Sequence, residues 1–220
     1  CYETARALDL AEHLTDEVEK SEQAALAALL TPIAKAFGTD IGSEVASLGV
    51  QVHGGMGYIE ETGAAQHLRD VRITQIYEGT NGIQALDLIS RKLPLGNGEV
   101  VLNWLVAQGK IADSLTGDLT PVATHLKTAI SQLETATATM LERVIKKDEK
   151  AEAAATTYLR AFALVAGTAA MAKGAEASRD TKRVQLVRYF AANHLVKVGA
   201  LVAIIEGGAG DVLDSVGVLG

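Results

Sequence analysis

An all-α fold is predicted, and three observations predict it. Apolar residues recur at spacings of three and four along several long stretches. Aromatic residues make up only 4% of the chain and prolines number 3, a composition that disfavours sandwiches and barrels. No stretch alternates apolar and polar residues as a half-buried strand does. The 220 residues are 48% hydrophobic, enough to build a core without staples. A compact monomer of 23.0 kDa exposes roughly 9,600 Å².

The pattern divides at Leu93-Pro94-Leu95-Gly96-Asn97-Gly98, a Pro/Gly/Asn linker signal. The charge divides there too: residues 1–93 hold 7 basic and 14 acidic side chains, and residues 94–220 hold 13 of each. Two units are expected, 1–93 and 94–220. In the first, Tyr2 to His13 reads as the end of a helix and 15–22 as an acidic turn. Residues 24–30 are helical, and Thr31-Pro32 resembles an N-cap with proline at the first helical position. The helix that follows carries Ile33, Phe37, Ile41, Val45 and Leu48 as one buried stripe and stops at Gly54-Gly55-Met56-Gly57. A short helix after Thr62, an irregular stretch over 69–77 and a last helix from Thr80-Asn81 to about Lys92 complete the unit. Asn81 with Gln84 is expected to cap that last helix.

The second unit is an antiparallel bundle of a short helix over 100–115 and three long ones. Thr120-Pro121 starts a helix whose stripe is Val122, Leu126, Ile130, Leu133, Thr137, Met140 and Val144. Residues 151–177 form a helix rich in small residues. A final stripe, Val184, Val187, Ala191, Leu195, Val198, Val202 and Ile205, ends at Gly207-Gly208.

Composition narrows function by exclusion. A net charge of −7 and a pI near 5.3 disfavour nucleic acid and anionic membrane surfaces as partners. The longest apolar run, 161–172, is too short to span a bilayer. One cysteine, Cys1, rules out a disulfide framework within these residues and suits a reducing, cytoplasmic setting. The five histidines, His13, His53, His67, His125 and His194, never fall at metal-ligand spacing with carboxylates, so no metal site is expected. The chain opens at Cys1 inside a helical pattern with no cap, which reads as a cut chain.

Two places carry candidate chemistry. Gly54-Gly55-Met56-Gly57 lacks the preceding strand of a dinucleotide fold, which leaves a helix-ending turn or a backbone face open to a ligand's phosphates. Glu78, in Ile76-Tyr77-Glu78-Gly79-Thr80-Asn81, is either a solvated loop carboxylate or a general base. Ile76 and Tyr77 would wall such a base off from water, and Gly79 would let another molecule close in on the backbone.

Taken together, Gln51-Val52-His53-Gly54-Gly55-Met56-Gly57-Tyr58, Leu68-Arg69-Asp70 and Gln75-Ile76-Tyr77-Glu78-Gly79-Thr80 closely resemble the acyl-CoA dehydrogenase family. Their order and spacing match the last helices of that family's C-terminal domain over residues 1–93. The continuation Thr80-Asn81-Gly82-Ile83-Gln84, with helices beyond, looks like its longer subgroup. The resemblance implies oxidation of acyl-CoA to trans-2-enoyl-CoA with FAD, and an electron-transferring flavoprotein as acceptor. It makes Glu78 the base that takes the α-proton, with the Glu78 N–H donating to the thioester oxygen and Gly79 touching substrate. It also brings Gln51, Gly54 and Gly55 towards the FAD pyrophosphate and adenosine of a neighbouring subunit, and Thr80 and Asn81 close to the flavin of their own. A homo-oligomer follows from that arrangement. Gly82 stands where many members carry glutamine. The sequence has no counterpart of the family's N-terminal helical domain or β-domain, so the chain alone is expected to be inactive. The competing expectation is a non-catalytic helical assembly module.

Overall fold

The computed structural model describes residues 1–219, and among them every regular element is helical. Helix α1 (Tyr2–His13) leads into α2 (Glu17–Val52), followed by the single turn α3 (Gly55–Tyr58), α4 (Ala64–Arg72) and α5 (Asn81–Asp87). The second part contains α6 (Glu99–Ser114), α7 (Thr120–Lys146), α8 (Lys150–Ser178), α9 (Thr181–Asn193), α10 (Val198–Ala203) and α11 (Ala209–Leu219).

The largest departure from expectation is α2. The expected acidic turn is its first turn, because Asp16 caps it by accepting from the Val18 and Glu19 amides at 2.9 Å. The helix then runs through Thr31-Pro32 without a break. Pro32 removes the amide that would bond the Ala28 carbonyl, while the Thr31 hydroxyl donates to the Ala27 carbonyl at 2.7 Å. Leu29, Leu30, Pro32, Ile33 and Ala36 are all buried across the junction. Packing on both sides of the proline offsets the one lost bond, so a local start signal is overruled. The stripe beyond is buried only at its beginning. Ile33 is 5% exposed, whereas Val45 and Leu48 are 59% and 56% exposed, because α3 and α4 pack on another face of the last turns of α2 and no described element covers theirs.

By length and composition α2 could also cross a membrane, with a best-window hydropathy of 1.3. Its place is nonetheless that of a core helix, packed against α1, α4, α5, α6 and α8.

The second part is the expected bundle with a broken fourth rod. Helices α6, α7 and α8 pack in sequence, and α9 and α10 lie along α7 and α8. The stripe on α7 is buried from Val122 through Met140. The final stripe is shared between α9, a 3₁₀ turn at Leu195–Lys197, α10 and a π turn at Ile204–Gly208. Gly207-Gly208 therefore does not end the helical run; the π turn passes the chain on to α11. The Arg143 guanidinium donates to the Ile205 carbonyl at 2.7 Å and the Glu206 carbonyl at 3.2 Å.

The linker at 93–98 turns the chain but does not divide the core. One apolar cluster runs from Leu29, Leu30 and Ile33 through Leu88, Ile89 and Leu93 to Trp104, Phe162 and Ile205. At its centre Trp104 stacks on Phe162 with ring centroids 4.2 Å apart. Tyr158 is fully buried beside them, its hydroxyl 2.9 Å from Thr137 Oγ1. Burial pushes the Tyr158 hydroxyl pKa well above its ordinary value, against a smaller opposing pull from the Thr137 hydrogen bond. The unfolded chain then loses this proton near pH ~10, while the folded chain keeps it. Folding stability accordingly falls as pH rises through that point. Urea midpoints for the native chain and Tyr158→Phe should diverge above pH ~10, with a Tyr158 contribution of about 1.4 kcal/mol lost one unit higher. Parallel loss in both proteins would contradict the assignment.

Candidate active site

The loop that carries Glu78 is held in an uncommon backbone conformation. Helix α4 ends in a 3₁₀ turn at Ile73–Gln75, and then Glu78 (φ +57°) and Gly79 (φ +82°) are both left-handed. A non-glycine residue there costs about 1–2 kcal/mol, so surrounding contacts must impose it. Three bonds do so. Lys35 on α2 donates its Nζ to the Gly79 carbonyl at 2.7 Å and to Asn81 Oδ1 at 2.8 Å. Gln84 Nε2 donates to the Glu78 carbonyl at 2.9 Å. Both carbonyls of the Glu78–Gly79 pair are thus tied inward, while the Glu78 N–H has no acceptor among the described residues.

Asn81 organises the contact with α2. Its amide nitrogen donates to Asp40 Oδ1 (2.6 Å), Thr39 Oγ1 (2.9 Å) and the Ala36 carbonyl (3.1 Å). Gln75 Nε2 donates to the same Asp40 oxygen at 2.6 Å, and Gln75 Oε1 accepts from Ser43 Oγ at 2.8 Å and from Arg72. Thr80, not Asn81, caps α5, its hydroxyl accepting from the Ile83 amide at 3.3 Å. The expected Asn81–Gln84 capping pair is therefore replaced: both side chains are spent on holding the loop. With both its polar atoms engaged inside the chain, Asn81 acts on the loop and does not present its amide outward.

Lys35, Thr39 and Ser43 lie at i, i+4 and i+8 on α2, one polar stripe beside the apolar one, with Asp40 next to it. Tracing only the apolar stripe passes over them. Their spacing was the available signal.

The second place is the corner after α2. Gly54 has φ +59° and Gly55 follows it, both exposed; a Cβ built on either meets nothing within 4 Å. Gly57 differs, because a Cβ there would lie 2.2 Å from the Val50 carbonyl oxygen. Internal structure accounts for Gly54 through its backbone angle and for Gly57 through packing. Gly55 has neither reason within the chain. Gln51 is exposed just before the corner, and His53 caps the helix with its Nδ1 2.8 Å from the Gly49 carbonyl. Beyond it, Arg69 forks onto both carboxylate oxygens of Glu60 at 2.6 Å.

The two places are not one pocket. The Glu78 loop rests on α2 between residues 35 and 43, whereas the corner follows residue 52, roughly 16–24 Å further along the helix axis from Lys35 and Asp40 to Gln51 at 1.5 Å per residue. The expected apolar wall is also incomplete: Glu78 is exposed, and Ile76 and Tyr77 are 49% and 50% exposed. These flanking side chains need a further surface before they can exclude water. Among the described residues no cluster of His, Cys, Asp and Glu could hold a metal ion.

Family comparison bears on these motifs directly. A family model described as "Acyl-CoA dehydrogenase, C-terminal domain" matches residues 2–93, and another described as "Acetyl-CoA dehydrogenase C-terminal like" matches residues 103–215. The chain belongs to the acyl-CoA dehydrogenase family. Over 86 residues it is 58% identical to 3-methylmercaptopropionyl-CoA dehydrogenase of Ruegeria pomeroyi, covering 39% of this chain and 14% of that protein. It is 31% identical over 120 residues to a butyryl-CoA dehydrogenase of Syntrophomonas wolfei, covering 54% of this chain and 19% of the other. Caenorhabditis elegans ACDH-11, solved in complex with C11-CoA, shares the fold with a TM-score of 0.64 at 22% identity, over 94% of this chain and 37% of that one. The chain thus spans less than two fifths of each of these relatives. Both the Glu78 loop and the Gly54–Gly55 corner fall inside the first matched region of this acyl-CoA dehydrogenase chain.

Removing the Lys35 ammonium should release the loop while leaving the helical core intact. In Lys35→Met, hydrogen–deuterium exchange over 75–84 is expected to rise by about tenfold or more, the loss of a charge-assisted bond, with helix content unchanged by circular dichroism. Unchanged protection of that segment would show that Lys35 does not hold it.

Proposed function

We propose that this chain is the base-bearing C-terminal part of an FAD-dependent acyl-CoA dehydrogenase that converts acyl-CoA to trans-2-enoyl-CoA. The observation that carries the proposal is the Glu78–Gly79 turn, with both carbonyls anchored and the Glu78 carboxylate and N–H left free. A thioester α-proton is weakly acidic, so its removal needs a positioned base and a donor for the charge that develops on the thioester oxygen. In this reading the Glu78 carboxylate takes the proton, and its own N–H donates to that oxygen. Gly79, with no side chain, lets the substrate lie against the turn. The hydride leaving the β-carbon is accepted by FAD when that cofactor is bound.

The residues present fit such a cofactor at the corner. Gly54 and Gly55 expose backbone to open space, and Gly55 has no reason inside the chain to lack a side chain. Gln51, Gly54 and Gly55 would meet the pyrophosphate and adenosine end, and Thr80 the flavin end. The separation along α2 favours two different FAD molecules, with the corner serving the cofactor of a neighbouring subunit in a homo-oligomer. Asn81 then contributes by holding the loop. The same proposal takes an electron-transferring flavoprotein as acceptor and a cytoplasmic location, where an exposed thiol such as Cys1 stays reduced. The exposure of Glu78, Ile76 and Tyr77 supports the corollary that these 220 residues are inactive alone. Residues 94–220 brace α2 and α5 through the common core, which also favours an assembly role for that part.

In the complete enzyme, Glu78→Gln should lower turnover at least ~100-fold while the flavin absorbance of the purified protein is retained. Comparable turnover would remove Glu78 from the role of base.

Surface area leads to a separate expectation. The chain exposes 12542 Å², well above the roughly 9,600 Å² of a compact monomer of this mass, and Val52 and Tyr58 beside the corner are each 84% exposed. Self-association of the chain should follow. Light scattering that shows a clean monomer at high concentration would count against it.

A further inference from the structure

His53 is an exposed side chain whose direction is fixed. It ends α2 immediately before Gly54 and Gly55, and its Nδ1 stands 2.8 Å from the Gly49 carbonyl oxygen. A carbonyl oxygen only accepts, so this bond requires a proton on Nδ1. The Nε2 of the neutral ring is then a bare acceptor. The two nitrogens lie on different edges of the imidazole, so Nε2 points away from the carbonyl that holds Nδ1. The Nδ1 contact is the one side-chain hydrogen bond that His53 makes among the described residues.

The residue is also held from its backbone side. The turn α3 folds back so closely that a Cβ on Gly57 would lie 2.9 Å from the His53 Cβ. The bond to Gly49 satisfies one of the carbonyls that a helix end leaves unpaired, and this capping role accounts for Nδ1. It does not account for Nε2, an acceptor held in one direction one residue before a backbone that faces open space.

The chemistry of the ligand settles what Nε2 can meet, a step that rests on reading this corner as the site for the pyrophosphate and adenosine end of FAD. A bare imidazole nitrogen cannot serve a phosphate oxygen, because both are acceptors. In an adenosine diphosphate group the donors are the ribose hydroxyls and the adenine amino group, and the ribose is the part bonded directly to the phosphates. The residue beside the glycines therefore meets the ribose first. We propose that His53 is a further cofactor-binding residue, its Nε2 accepting a hydrogen bond from a ribose hydroxyl of the FAD adenosine. One imidazole then has two tasks: Nδ1 closes the helix and Nε2 binds the nucleoside.

Two substitutions separate those tasks. The amide of His53→Asn can keep the bond to the Gly49 carbonyl but does not extend to the place of Nε2. The longer amide of His53→Gln brings an oxygen close to that place. The complete enzyme, stripped of flavin, is titrated with FAD and with FAD built on 2′,3′-dideoxyadenosine, and binding is read from flavin fluorescence. The native protein should bind the dideoxy cofactor about five- to tenfold more weakly, the loss of one hydrogen bond. His53→Asn should bind FAD more weakly by a similar factor and no longer distinguish the two cofactors, whereas His53→Gln should recover most of the distinction, with folding of both checked by circular dichroism. FAD carrying hypoxanthine in place of adenine should affect native protein and His53→Asn alike. Equal binding of FAD and its dideoxy analogue by the native protein overturns the inference, and that comparison needs no variant. Native discrimination retained in His53→Asn overturns it too, since a helix cap alone predicts that asparagine behaves as histidine does. A native enzyme that binds no FAD at all overturns the cofactor reading of the corner, and this inference with it.

Discussion

The capture of a loop by the side of a helix is the constraint on which the candidate site depends. Lys35 and Asn81 bridge α2 to the Glu78–Gly79 turn, and Asp40 and Gln75 extend the bridge by another turn of helix. A left-handed glutamate is unfavourable by itself, so without these bonds the turn would relax into many conformers. With them, the exposed Glu78 sits on an anchored backbone, its carboxylate and N–H without partners among the described residues. That preorganisation is what a base acting on a weak carbon acid requires.

The loop rests on the part of α2 that follows its buried stretch, Ala27 to Ala36. Its buried face joins the core formed with α5 and α8, and the two sequence regions that match separate family models share that core. The extension therefore packs on the first region: Leu88, Ile89 and Leu93 after the Glu78 loop join the same cluster as Tyr158 and Phe162. The far end of α2 has no such cover. Its exposed valines and leucine, with Met56 and Tyr58 beyond them, form the apolar side of a corner whose glycines face open space. One rod thus presents a braced middle on which the Glu78 loop rests and a less covered end that leads into the backbone corner.

Helix identity was legible from periodicity almost throughout, because an amphipathic stripe follows from the 3.6-residue repeat whatever the helix packs against. The failures share a cause. Thr31-Pro32 is a sound local start signal, overruled by apolar packing on both sides of it. Val45 and Leu48 continue the stripe beyond the point where the described residues cover it. Asn81 and Gln84 sit at capping spacing, yet the Asn81 amide bonds α2 and the Gln84 amide bonds the Glu78 carbonyl. In each case what lies beside the segment in the fold, or fails to lie there, overrides the local rule.

The order and chemistry of the motifs around Glu78 and Gly54-Gly55 were determined by sequence alone, as was membership of the acyl-CoA dehydrogenase family, since side-chain type and spacing carry that information without coordinates. Only the tertiary structure decided which atoms of those motifs are free. Hydrogen bonds commit particular atoms: the Asn81 side chain and the Gln84 nitrogen are engaged on the loop, and once Gln108 turns its nitrogen to the Trp104 carbonyl its oxygen is left unpaired. Such commitments are made between residues up to 46 positions apart, as for Lys35 and Asn81, and spacing along a chain does not encode them.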